Sequence, residues 1–311
     1  MTTVFSADLA LAGAFRKPQQ MLASQSYDGH LSIHDDKMAE GLGFRAGPIE
    51  GPTHFSQFAP LLDHIFGKAF FETGCISAHY QNMVVEGEEV RAFAALPQRS
   101  AHSTRIWAEK RDGTPVLTGT ASLGPERGDT EISRRIAALR PPEQLVILRD
   151  LKVGQKGTVR EKVAMGFDQN MGASYPFSLN EKLAKITEPS PWYAPDGTSP
   201  WGRAVIPFEM ISVLLEYTAG KAGFHTHGPA IGLFAGQEIR LIKGPLFVGH
   251  PYELEREIVA LSESKRTESN WVRTRAYDGE TGDLVAEMIL NSATLKNSYA
   301  KYDEDAKALA K

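Results

Sequence analysis

The sequence predicts an α+β protein built from two copies of one unit, a long helix followed by an antiparallel meander. Three observations predict it. An apolar helical stripe at Phe55, Phe58, Leu61, Leu62, Ile65 and Phe66 is followed at once by four alternating, β-rich segments. A second stripe at Phe208, Ile211, Leu214, Leu215 and Thr218 is followed by four more. Landmarks then recur at nearly constant distance. Gly87 and Gly249 stand 162 residues apart, and Trp107 and Trp271, each followed by an Asp-Gly turn, stand 164 apart. A repeat of this kind makes each copy, roughly 130–150 residues long, a structural unit.

In chain order, the first stripe leads into CISAHYQNMVV, EVRAFAAL, STRIWAEKR and PVLTGTASL, separated by the turns EGEE, PQRS and RDG. GPERGDTEISRRIAALRPPEQ is polar and proline-marked, a linker holding a short helix. LVILRDLKVGQKGTVREKVAMGF restarts the scheme with a strand. The proline-rich loop TEPSPWYAPDGTSPWG then leads into the second helix, with Gly220 as its expected C-cap. IGLFAGQEIRLI, YELEREIVAL, NWVRTRAYD and DLVAEMILNSATL form the second meander, and the charged tail KYDEDAKALAK is expected to fray. This divides the chain into a unit at 1–138, a linker at 139–155 and a unit at 156–311. Two meanders joined edge to edge would cover the edges that each leaves open.

The bulk numbers exclude several classes. The chain has 311 residues, enough for two cores. Its 34 basic and 38 acidic residues give a net charge of −4, which draws it neither to nucleic acid nor to anionic lipid. At 42% hydrophobic and 23% charged residues it is an ordinary globular composition. One cysteine, Cys75, forms no internal disulfide. The opening MTTVFSADLALAGAFRK lacks a positively charged region before its apolar run and reads as a mature N-terminus. No apolar run approaches the ~20 residues of a membrane helix, so a cytoplasmic protein is expected.

The stretch before the first helix carries the chemistry. It holds His30, His34, Asp35 and Asp36, then a glycine-rich turn from Gly41 to Gly51. His34, Asp36, Ala39, Gly43-Phe44 and Ile49-Glu50-Gly51, opening a helix swaddled by a meander, resemble the hotdog fold. More narrowly they resemble the MaoC-like acyl dehydratases and (R)-specific enoyl-CoA hydratases, and the duplication resembles their double-hotdog members. The resemblance implies a tandem hotdog, with antiparallel sheets wrapped around central helices. It also implies a catalytic Asp five residues before the His, in Asp-x-Asn-Pro-x-His. Here that position is Gly29, Asp28 stands six before, and Leu31-Ser32 replaces Asn-Pro. The second half has no Asp/His pair before its helix.

Hydrating an α,β-unsaturated thioester needs an acid–base group for water, a polar group to orient it, and a donor for the carbonyl as charge develops. His34 suits the first role because imidazole titrates near neutral pH. Asp28, or failing it Asp36, would share the water or hold the imidazole tautomer. The Gly51 N–H, at a helix N-terminus, would receive the oxyanion, and Pro52 has no N–H to help. His54, one turn in, faces either the same pocket or the core.

Structural alternatives stand beside these. Asp36 would equally serve as N-cap of a short helix KMAEGL. Glu209, in the first turn of the second helix, is either dipole-matched or the acidic residue of a hotdog thioesterase. Tyr175, Phe177, Trp192, Tyr193 and Trp201 either wall an acyl substrate or pack the halves together. His225 and His227 with Glu238, or His30 and His34 with Asp35, lack a recognised metal spacing. Glu238 and Arg240 share one strand face, and no GxSxG elbow or nucleotide-binding glycine motif occurs.

The expectation is therefore a hydratase/dehydratase-type lyase acting on an enoyl or β-hydroxyacyl thioester, CoA-linked or similarly activated. Catalysis is assigned to His34, Asp28, Asp36, Gly51 and His54, and substrate binding to Trp192, Tyr193, Trp201 and Glu209. No cofactor, metal, nucleic-acid or membrane partner is expected. The chain is a monomer or a homodimer. The alternatives are a thioesterase using Glu209 and a non-catalytic acyl- or ligand-binding hotdog.

Overall fold

The computed structural model describes residues 9–27, 30–97, 101–124 and 128–310. The first half contains β1 (Ala10–Ala12), β2 (Ser26–Tyr27), β3 (His30–Leu31) and α1 (Asp36–Gly41). A 3₁₀ segment, Gly51–Phe58, then runs into α2 (Ala59–Phe66), followed by α3 (Ala69–Thr73). The meander is β4 (Gly74–Tyr80), β5 (Val90–Ala95), β6 (Ser103–Lys110) and β7 (Pro115–Leu123), and α4 (Glu131–Ala137) follows it. The second half holds β8 (Glu161–Val163), α5 (Leu179–Leu183), α6 (Phe208–Glu216), β9 (Gly232–Leu241), β10 (Tyr252–Glu263), β11 (Thr267–Asp278), β12 (Leu284–Leu295) and α7 (Tyr302–Leu309).

All eight meander strands lie where alternation places them. With β1 and β8 they form one ten-stranded antiparallel sheet in the order β1-β5-β6-β7-β4-β9-β12-β11-β10-β8. Outward from the β4–β9 seam, the strand order of one half mirrors that of the other, which is the repeat in three dimensions. The seam itself is a ladder from Cys75 opposite Arg240 to His79 opposite Gly236. Two short strands, β1 and β8, lie at the outer edges, where short edge strands limit pairing with another chain. One apolar core runs through both halves and includes Phe55, Phe58 and Leu62 of the first stripe and Met210 and Leu214 of α6.

Four details differ from the sequence reading. The first stripe is not one α-helix, because Pro60 has no N–H for the carbonyl four residues back and its ring crowds that carbonyl. Gly51–Phe58 is accordingly 3₁₀, and the α-helix starts afresh at Ala59. The second helix ends at Glu216, and a 3₁₀ turn carries the chain to Gly223, which takes the left-handed conformation at φ 74° in place of Gly220. Leu145–Arg149 is irregular rather than a strand. Its N–H groups at Val146, Ile147 and Leu148 donate to the buried Glu268 carboxylate at 2.9, 2.9 and 3.0 Å, so a side chain replaces the strand partner. The tail forms α7, tied back by Arg149 to Asp305 at 2.9 Å.

The segment before the first helix is docked on the other half. Ile33 and Ala39 pack with Ile231 and Leu295 of the second half. The Ser26 N–H donates to Ala173, and the Gln25 side chain donates to the Ser174 carbonyl at 2.6 Å. The mouth of the first helix is therefore built from both halves.

Candidate functional site

His34 lies between β3 and α1, half-buried, with its N–H on the Ser32 hydroxyl. Its ring Nδ1 is 2.6 Å from the Pro48 carbonyl. A carbonyl only accepts, so Nδ1 carries the proton and Nε2 keeps its lone pair. Burial lowers the imidazole pKa to about 4, against the smaller opposing pull of the Pro48 bond. The ring is thus neutral at physiological pH with one nitrogen free to take a proton.

The two neighbouring carboxylates hold the loop. Asp35, not Asp36, is the N-cap of α1, accepting from the Met38 N–H at 2.9 Å. Asp36 is exposed, and its Oδ1 accepts from the Gly47 N–H at 2.9 Å. That bond draws residue 47 against His34, and a Cβ at Gly47 would fall 2.2 Å from the His34 carbonyl oxygen. Asp28 lies outside the described residues.

Beyond Gly47 the chain pairs Ile49 N–H with the Val84 carbonyl at 2.7 Å and then opens the helix at Gly51. A Cβ on Gly51 would sit 2.5 Å from the Tyr80 ring, so only glycine allows this approach. N–H groups in a first helical turn lack intrahelical acceptors, which leaves Gly51 suited to an anion.

Inside this mouth is a group of ionisable side chains gathered from four separate stretches of chain. Glu50 is buried and shares a hydrogen bond with the Tyr175 hydroxyl. Burial raises its pKa to about 7, opposed by the charge of Lys182 and reinforced by that of Glu209. Lys182 of α5 donates to Thr53 at 3.1 Å and stands 3.2 Å from Glu209. Glu209 is 2% exposed, and burial raises its pKa as well. His54 points into the same interior, with Nδ1 3.4 Å from the Gln57 amide nitrogen. Burial, aided by the positive charges of Lys182 and Lys110, lowers its pKa to about 4. Tyr80 reaches Gln237 across the seam at 3.4 Å, and Gln237 donates to Ser212 of α6 at 2.7 Å.

The aromatic loop of the second half divides. Tyr175 and Phe177 belong to the interior just described, with the Phe177 ring 5.8 Å from the Lys182 ammonium. Trp192 and Trp201 pack edge to face on each other at 5.5 Å and on Phe71 of α3 at 5.1 and 6.3 Å. Trp201 also donates to Glu72 at 3.0 Å, and Tyr193 is buried beside them in the chain. These contacts join the halves. His227 bonds Asp150 at 2.7 Å, whereas Glu238 is on β9 near Arg240, so the two have separate partners. A cleft of about 780 Å³ lies over α1, lined by Asp35, Asp36 and Met38. A second, of about 390 Å³, opens past Gln57 and the Arg16–Glu188 ion pair.

Sequence reasoning placed His34 and Gly51 together but passed over Glu50, Tyr80 and Lys182 as site residues. A signal existed for Lys182, since it follows Leu179 by three and so shares that residue's buried face. Glu50 gave none beyond its place before Gly51.

No family model and no curated protein matches the sequence. Solved structures do match. One, described as a MaoC domain protein dehydratase from Chloroflexus aurantiacus, is 14% identical with a TM-score of 0.58, covering 94% of this chain and 96% of its own. Another, a Mycobacterium tuberculosis protein described as having a double hotdog fold, is 12% identical with a TM-score of 0.57, covering 94% and 97%. The chain has the double hotdog fold. No helix is long and apolar enough to cross a membrane among the described residues.

Proposed function

We propose that this chain is a hydratase/dehydratase-type lyase acting on an enoyl or β-hydroxyacyl thioester, with its active centre between His34 and Gly51. The observation that carries the reading is the 2.6 Å bond from His34 Nδ1 to the carbonyl of Pro48, three residues before the helix-opening Gly51, which leaves Nε2 as the base. In the hydration direction, His34 Nε2 takes a proton from water as the oxygen bonds to the β-carbon. The electron pair moves to the thioester oxygen, where the Gly51 N–H and the helix dipole receive the charge. The proton taken up by His34 is then delivered to the α-carbon, which completes the addition of one water and returns the imidazole to its neutral form. Asp36 positions the loop through Gly47, and Asp28 remains a candidate for orienting the water. The division into units at 1–138 and 156–311 is part of the same proposal, since the site takes one helix mouth from the first unit and its inner wall from the second.

The fold alone does not select this chemistry. The thioesterase reading has less support, because Glu209 is fully enclosed and paired with Lys182. The test is hydration of a panel of trans-2-enoyl-CoA thioesters, followed by loss of enoyl absorbance. Activity in the wild type that falls about 100-fold or more in His34→Ala is expected for removal of an acid–base group. A folded wild type inert toward every chain length would leave the ligand-binding alternative.

A further inference from the structure

We propose that the cleft between β1 and α2 binds an extended, uncharged peptide segment, which adds a strand to the open edge of β1 and bonds to Gln57. The inference stands apart from the lyase reading, and its test needs no substrate.

Gln57 is the first pointer to a ligand. It lines the cleft of about 390 Å³ and is 2% exposed. One end of its amide, Nε2, meets His54 Nδ1 at 3.4 Å. The other end, Oε1, is buried with no partner among the described residues. A buried acceptor left unpaired is costly, so an N–H brought into the cleft by a ligand is favoured there.

The strand edge supplies the backbone partner. Gly13 N–H donates to the Ala92 carbonyl at 2.9 Å, and Leu96 N–H donates to the Leu9 carbonyl at 2.7 Å. In an antiparallel ladder alternate residues turn their N–H and C=O groups to opposite sides. Leu9, Leu11 and Gly13 therefore face β5, and Ala10 and Ala12 face the side where the sheet ends. Ala12 lines the cleft together with Leu11, Pro60 and Leu61, so its open N–H and C=O stand beside apolar walls.

Charge selects what this edge accepts. At the far end of the sheet, β8 carries Lys162 and follows Arg160, and both pair with Glu253. Charges at an edge deter a further strand. β1 is Ala-Leu-Ala and has none. It begins at two exposed leucines, Leu9 at 71% and Leu96 at 43%. In the cleft, the Arg16 guanidinium is already held by both oxygens of Glu188, at 2.6 and 2.9 Å, and an anionic ligand would have to break that pair. Spacing then selects a peptide. Outward groups on a strand recur every two residues, about 6.8 Å, and a peptide repeats in step with them. The two amides of a pantetheine arm are separated by one additional methylene and fall out of register. The three residues of β1 limit the bound segment to about that length.

The test is an NMR titration of the isotope-labelled full chain with acetyl-Ala-Leu-Ala-amide. Comparison ligands are the same peptide methylated at every amide N–H, acetyl-Ala-Glu-Ala-amide, and pantetheine. The tripeptide is expected to bind with a Kd of about 1 mM or below. Methylating it, or exchanging its leucine for glutamate, should weaken binding about tenfold or more. Ala12→Pro and Gln57→Leu should each cost a similar factor. Proline is tolerated at an edge position whose N–H faces outward, so Ala12→Pro is expected to keep the fold. A folded wild type that binds no tripeptide at about 5 mM overturns the inference. Binding that methylation leaves unchanged overturns it too, since apolar contact alone would explain it. Pantetheine binding as tight as the tripeptide's overturns the choice of a peptide. Wild type that sediments as a dimer dissociated by Ala12→Pro also overturns it, because a second copy then takes the edge. Should Ala12→Pro not fold, the methylated peptide on wild type decides.

Discussion

The two helix mouths share a backbone and differ in chemistry. Ile49 donates to Val84 at 2.7 Å, and Ile206 donates to Leu246 at 2.9 Å, so the chain approaches both helices in the same register. Glu50-Gly51 in the first corresponds to Pro207-Phe208 in the second. Where the first mouth has a glycine and an open N–H, the second has the Phe208 ring tilted against Phe70 and Phe71, with centroids 5.1 and 6.0 Å away. The loop ahead of it supplies Trp192 and Trp201 in place of a His and acids. Duplication preserves the ladder and the helix start because backbone pairing tolerates many side chains, whereas a reactive centre does not survive loss of one group. The second mouth has become packing, and the proposed chemistry is confined to the first.

Substitutions can break that contrast. The largest effect should be in the first mouth, where His34→Ala lowers hydration about 100-fold or more while the melting temperature holds, since the half-buried ring makes one tertiary hydrogen bond. Next, Lys182→Met strips Glu209 of its ion pair and leaves a buried charge. Urea unfolding should report a loss of ~3–5 kcal/mol. Phe208→Ala opens a cavity in the second mouth at a similar cost of about 3–5 kcal/mol, with activity per folded molecule unchanged.

Glu50→Gln sharpens the contrast through pH. Its folded pKa, about 7, lies above the usual carboxylate value, so the folded state keeps a proton that the unfolded chain has released. Wild-type stability therefore falls relative to Glu50→Gln as pH rises from about 4.5 to 7, by on the order of 3 kcal/mol in full, and thermal melts across that range check the sign. The smallest effect is Trp201→Phe, which keeps the ring packing and loses the bond to Glu72, at about 1 kcal/mol in the same urea assay.

Much of the architecture was legible in the sequence because its signals are local. Alternation marks the strands, and the recurring Gly87/Gly249 and Trp107/Trp271 mark the duplication. Pro60 was a visible reason to split the first helix, and the apolar stripe across it masked that signal. Leu145–Arg149 misled because an apolar run does not say whether its N–H groups will meet a strand or the Glu268 carboxylate. In the candidate site, His34 and Gly51 lie on one short stretch, and the His34 ring bonds the carbonyl of Pro48, three residues before Gly51. Glu50, Tyr175, Lys182 and Glu209 meet only once the halves pack, across more than 120 residues of chain, and nothing in local spacing announces that.

The central claim is that one mouth works and the other only packs. It is tested most directly by assaying trans-2-enoyl-CoA hydration for wild type, His34→Ala and Phe208→Leu at matched folded concentration. The account predicts that His34→Ala loses activity about 100-fold or more while Phe208→Leu stays within about threefold of wild type. An active His34→Ala enzyme, or equal losses in both variants, would contradict it.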